Sequence, residues 1–123
     1  PKNIEAALKR SPLVAEAVVI GDRRPYLIAL LCLEPDALAK FATANGITGD
    51  AHSDPKVVAE LQKAVEECNA EFARVEHVRR FAVLPRLLTE AAGELTPTQK
   101  IKRKMVNKNW EEVIEGLYKG GGE

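Results

Sequence analysis

Hydrophobic positions change their period several times along the chain, and each change marks a predicted element. Ile4, Ala7 and Leu8 share one face of a short helix over Asn3 to Arg10. Ser11-Pro12 ends it, because a residue before proline is steered out of the helical region. Val14 to Ile20 is rich in β-branched residues and reads as a strand closed by a turn at Gly21-Asp22. After Arg23-Arg24-Pro25, the run Tyr26 to Leu33 is apolar on both faces, which suits a strand at the centre of a sheet or covered on both sides. The short connection between the two favours an antiparallel hairpin over a crossover.

Pro35 fits the first position of a helix whose stripe is Ala37, Leu38, Phe41 and Ala42 and whose end is Asn45-Gly46. Residues 46–53 read as a loop. Asp54 as N-cap and Pro55 then open the strongest helix, with Val57, Val58, Leu61, Val65, Cys68 and Phe72 at helical spacing. Arg79 to Leu84 ends at Pro85 and reads as a return to the sheet. Gly93 and Pro97 punctuate Arg86 to Gln99 into loops with short extended pieces. Ile101, Met105, Val106, Trp110, Val113, Ile114 and Leu117 continue as one helical stripe, and Gly120-Gly121-Gly122 is expected to end any order. The sum is an α+β fold, a small sheet with an antiparallel hairpin packed by helices.

Composition narrows the class. The chain has 123 residues, enough for one domain, and 46% of them are hydrophobic, as in a globular protein with a real core. Eighteen Lys and Arg balance eighteen Asp and Glu, which argues against a surface built wholly for polyanions and so against nucleic acid. Cys32 and Cys68 are far apart, with no histidine at ligand spacing, so no metal site is expected. Two reduced, buried thiols are expected instead. The longest apolar run falls short of the roughly 20 residues of a transmembrane helix. The polar start Pro1-Lys2-Asn3-Ile4-Glu5 holds no signal core, so a cytoplasmic setting is expected. Lacking a Met, that start also fits a piece of a longer protein.

Most candidate chemistry reduces to plain structure. His52 and His77 lie near no nucleophile motif and read as surface histidines. Glu66-Glu67 and Glu111-Glu112 alternate with lysines on solvated helix faces, and Trp110 and Tyr118 read as core. One segment differs. Leu95-Thr96-Pro97-Thr98-Gln99-Lys100-Ile101-Lys102-Arg103-Lys104 sets a polar loop before a helix and packs four cations into five positions. A solvated helix start explains it equally well. Cations are nevertheless unfavourable at a helix N-terminus, which is already the positive end of the dipole. An anion met at this point is therefore a reasonable function for Lys100.

These residues also carry a family resemblance. Pro1-Lys2-Asn3-Ile4-Glu5 resembles the "P-x-x-I-E" start of the small C-terminal domain of AMP-forming acyl-CoA synthetases, the superfamily that includes firefly luciferase and peptide-synthetase adenylation domains. Ser11 to Gly21 resembles the strand that follows. Gly21 to Leu30 and Leu95 to Arg103 are most similar to the long-chain fatty-acid branch. The likeness runs from Pro1 to about Tyr118. One departure is Gln99, where much of the superfamily has Gly before the motif lysine.

The resemblance implies the mobile lid domain of a long-chain fatty-acid-CoA ligase over residues 1–119, with residues 120–123 a flexible Gly-rich tail. The large adenylation domain and hinge would lie upstream of Pro1. It implies substrates ATP, Mg2+, coenzyme A and a fatty acid for the full enzyme, with none bound to this domain alone. Lys100 corresponds to the lysine that enters the active site for adenylation. Lys102 and Arg103, with Lys104 beside them, are candidates for coenzyme A phosphates or for docking on the large domain. Localisation is expected to be cytoplasmic, with peripheral membrane attachment open to the full-length enzyme. The rival readings are a fatty-acyl-AMP ligase, which stops at the adenylate, and a stand-alone interaction module with a basic helix.

Overall fold

A computed structural model describes residues 2–121, so Pro1, Gly122 and Glu123 lie outside the described residues. Backbone contacts divide the chain into two compact units, Pro1–Arg86 and Leu87–Glu123.

The first unit holds α1 (Lys2–Leu8), β1 (Val14–Ile20), β2 (Leu27–Leu33), α2 (Pro35–Ala44), α3 (Pro55–Asn69) and β3 (Val78–Val83). The sheet order is β1-β2-β3, with β1 antiparallel and β3 parallel to β2. Six of the seven β2 residues are buried, which is why its sequence is apolar on both faces. One face of the sheet, with Ala17, Val19, Ala29, Leu31 and Leu33, packs into a core with Ile4, Leu8, Leu38, Val57, Leu61, Val65 and Cys68 from the helices. Val18, Ile28, Leu30 and Cys32 alternate onto the opposite face and are buried as well.

Local chemistry sets the element ends. Gly21 turns the chain where a side chain would run into that of Leu27. Glu34 caps α2 by accepting from Ala37 N–H. The helix closes on Gly46 at φ +66°, with Gly46 N–H on Thr43 and Ile47 N–H on Ala42, the Schellman pattern that Asn45-Gly46 predicts. Asp54 caps α3 through Lys56 N–H. That helix stops at Asn69, short of Phe72, because the Asn69 amide turns to clamp β3. It accepts from Val78 N–H at 2.8 Å and donates to Val78 C=O at 2.9 Å.

Glu5, buried at 7% exposure, was not singled out by the hydrophobic pattern. Its carboxylate accepts the Val19 N–H at 2.7 Å, while Glu16 accepts that of Ala17 at 3.2 Å. Both donors belong to the strand at one edge of the sheet, and carboxylates cover what would otherwise be open pairing sites. Glu5→Ala is expected to cost about 1–3 kcal/mol, the cost of a buried N–H left unpaired, measured by urea unfolding.

In the second unit, α4 (Arg103–Asn109) and α5 (Glu111–Gly121) replace the one helix expected from Ile101. Trp110 breaks the run at φ −113° and ψ 22°, and Ile101 sits outside the helix altogether. Gly120 and Gly121, expected to lie in a tail, complete α5. Among the described residues, no helix is long and apolar enough to cross a membrane.

Candidate functional site

The segment singled out by its cations forms a three-residue hairpin. Leu95 and Ile101 make an antiparallel bridge, and Thr96 N–H donates to Lys100 C=O at 2.8 Å. Gln99 N–H closes the turn on Thr96 C=O at 2.8 Å, and Lys100 N–H donates to Thr96 Oγ1 at 3.0 Å. Pro97 pre-sets the φ of the second turn position. Gln99 follows in the left-handed region at φ +67°. A turn followed by one left-handed residue is the usual way to close such a loop.

This backbone explains the departure noted at Gln99. A left-handed φ favours glycine, and a side chain there costs about 1 kcal/mol. Gln99 offsets that cost by donating from Nε2 to Glu90 Oε1 at 2.8 Å. Glu90 in turn opens a tight turn closed by Gly93 at φ +76°.

Lys100 leaves the hairpin exposed, and among the described residues its ammonium has no hydrogen bond or ion pair. It precedes α4 and is not at the helix N-terminus, as the sequence pattern suggested. Lys102 is the N-cap of α4, with no side-chain cap bond, and Arg103 is its first residue. Both are exposed, as is Lys104. The cations therefore sit on successive elements: hairpin arm, cap and first turn.

The residue that fixes this arrangement is one that sequence reasoning missed. Glu94 is fully buried. Its Oε2 accepts from Trp110 Nε1 at 2.9 Å and Asn109 Nδ2 at 3.0 Å, and its Oε1 accepts from Thr89 N–H at 3.2 Å. Its own N–H donates to Thr89 C=O at 3.0 Å and its C=O accepts Lys102 N–H at 2.8 Å. The signal available was a carboxylate between Gly93 and Leu95, outside the helices where glutamates alternate with lysines. Trp110, expected in the core, is half-buried because its indole N–H is turned to this carboxylate. The break between α4 and α5 follows from the same bonds, since Asn109 and Trp110 both serve Glu94.

Other candidates resolve as structure. His77 is half-buried, with Nε2 at 3.0 Å from Phe72 C=O. His52 lies at 3.5 Å from Asp50 in an exposed turn. Cys32 and Cys68 are buried thiols outside any disulfide, as expected. Burial pushes the Cys68 thiol up, and nearby Glu71 adds to the effect. A groove of about 290 Å³ passes Arg10, Glu60, Cys68 and Glu71, but the Arg10 guanidinium there is already held by both Glu71 oxygens at 2.7 Å.

The α+β fold has counterparts among known proteins. Residues 1–121 match the AMP-binding enzyme C-terminal domain, and the chain belongs to that family. It is 38% identical over 123 residues to the long-chain-fatty-acid-CoA ligase FadD15 of Mycobacterium tuberculosis, covering 96% of this chain and 20% of that protein. It is 31% identical over 142 aligned positions to the long-chain-fatty-acid-CoA ligase ACSBG1 of Mus musculus, covering 96% of this chain and 19% of that protein. The chain spans about one fifth of the length of these curated relatives. Among solved structures it is similar to the A-PCP didomain of carboxylic acid reductase from Segniliparus rugosus in complex with AMP. The TM-score is 0.74 at 30% identity, over 97% of this chain and 16% of that one. A fatty acyl CoA synthetase of Mycobacterium tuberculosis shares the fold, with a TM-score of 0.55 at 16% identity over 92% of this chain and 18% of that one.

Proposed function

We propose that this chain is the mobile C-terminal domain of a long-chain fatty-acid-CoA ligase and that Lys100 serves its adenylation step. The observation that carries the proposal is the exposed Lys100 ammonium, without a partner among the described residues, on a hairpin whose backbone is fixed at every rung. The names of the relatives supply the reaction. In its first step a fatty-acid carboxylate oxygen bonds to the α-phosphorus of Mg·ATP, and the bond from that phosphorus to the pyrophosphate oxygen breaks. In its second, the sulfur of coenzyme A bonds to the acyl carbon as AMP departs, and the thiol proton is released.

The first step brings anion to anion. A positioned ammonium offsets that repulsion and stabilises the charge growing on the transferring centre. A lysine suits this role if it enters for adenylation and withdraws for the thioester step, hence the domain's mobility. Lys102 and Arg103, exposed at the start of α4, are assigned in this reading to coenzyme A phosphates or to docking on the large adenylation domain. ATP, Mg2+ and coenzyme A are then substrates of the full enzyme, which we place in the cytoplasm, with peripheral membrane attachment left to its other parts.

The decisive experiment separates the half-reactions in the full-length enzyme with Lys100→Ala. Adenylate formation is expected to fall and thioester formation from supplied acyl-AMP to persist. A full-length enzyme that makes acyl-AMP and never acyl-CoA would make it a fatty-acyl-AMP ligase instead. The 123-residue chain alone is expected to show no turnover with ATP, fatty acid and coenzyme A, because one lysine lacks the site it serves. Turnover in a coupled assay of AMP release would sink that reading.

A further inference from the structure

We infer that Glu94 is the positioning residue of the Lys100 hairpin. The inference rests on the reading of Lys100 given above and deepens it. A hairpin of this size has little stability of its own, so its direction depends on what holds its base. Glu94 is that base. Its carbonyl oxygen takes the Lys102 N–H on the outgoing arm, one step below the Leu95–Ile101 bridge and two below the Thr96–Lys100 hydrogen bond. Its carboxylate ties the same point to the corner between α4 and α5, through Asn109 and Trp110, and to Thr89.

The donor set identifies what this pocket requires. A backbone N–H and an indole N–H can only donate, and Asn109 Nδ2 is fixed as a donor because it also serves Ala92 C=O at 3.0 Å. At least three donors converge on its two oxygens, so the site is the complement of an acceptor-only carboxylate. In Glu94→Gln the shape is kept, but one oxygen becomes an NH2 group that must face a donor. Thr89 or the Asn109–Trp110 pair loses its acceptor, and the hairpin loses one of its anchors. Lys100 itself is untouched. Its ammonium lies several rotatable bonds from the backbone that Glu94 holds, and a misplacement of about 1 Å can cost on the order of 10²-fold in rate.

In the full-length enzyme, Glu94→Gln is expected to lower adenylate formation by about 10- to 10²-fold, mainly in kcat. Thioester formation from supplied acyl-AMP should keep its rate. If Glu94 acts through Lys100, the variant Glu94→Gln with Lys100→Ala will be no slower than Lys100→Ala alone. Losses that multiply, or an equal fall in both half-reactions, would make Glu94 general scaffolding and overturn the inference. So would full adenylation by Glu94→Gln while Lys100→Ala is impaired. Full adenylation by Lys100→Ala would instead remove the functional reading itself, whatever Glu94 does. If Glu94→Gln does not fold, Trp110→Phe decides: it keeps an aromatic ring, smaller than the indole, and removes one donor. A few-fold loss confined to adenylation supports the inference, and an unchanged rate or an equal loss in both steps overturns it.

Discussion

Lys100→Ala in the full-length enzyme is expected to slow acyl-adenylate formation by about 10²–10³-fold, the usual loss when one preorganised donor is removed from a transition state. That factor corresponds to about 2.7–4 kcal/mol. Its size rests on the proposal that an ammonium offered from a fixed hairpin backbone meets charge that develops only in the transition state. Pyrophosphate exchange into ATP reads this step alone. Conversion of supplied acyl-AMP to acyl-CoA should continue, since no carboxylate then approaches a polyphosphate. Lys100→Arg should rescue only part of the rate, because a planar guanidinium cannot occupy the place of a compact ammonium. If both half-reactions fall equally, Lys100 is structural.

Leu61→Ala should remove about 2–5 kcal/mol of stability, read as a lower urea midpoint at unchanged slope. Leu61 is fully buried on α3, in the same core as Ile4 and Leu8 of α1 and Leu31 of β2. Truncation there removes packing from α3 against both α1 and the sheet. Against a net stability of about 5–15 kcal/mol, this one change is a large fraction. Lys63→Ala, two residues on and exposed, should stay within about 0.5 kcal/mol of the parent. A small effect at Leu61 would mean that the core can collapse around the cavity.

What the sequence made legible follows from range. The Schellman close at Asn45-Gly46, the Asp54-Pro55 start and the two-faced apolarity of Tyr26 to Leu33 depend on neighbours in the chain, and all three stand in the structure. The parallel pairing of β3 with β2 was not legible, since Val78 to Val83 would carry the same pattern in either direction. The stripe through Trp110 suggested one helix because periodicity counts apolar positions. It cannot register that an indole N–H and an asparagine are claimed by a carboxylate 15 or 16 residues earlier. For the site, charge alone led to an anion-facing lysine. The role proposed for that lysine came from resemblance, and the bracing by Glu94 and the left-handed Gln99 came only from the fold.

The mixed sheet also dictates an order of assembly. Strands β1 and β2 adjoin in the chain, so their hairpin closes a short loop, whereas β3 must return across roughly fifty residues to pair beside β2. Two strands alone are at best marginally stable. As the chain is synthesised, the second edge of β2, the most apolar segment of the molecule, therefore stays open until α2 and α3 have been made. The edge that β1 presents is covered early by Glu5, from the helix that precedes it. The open side of β2 is the one through which misassembly would begin, and a chain interrupted before Val78 would carry that hazard permanently.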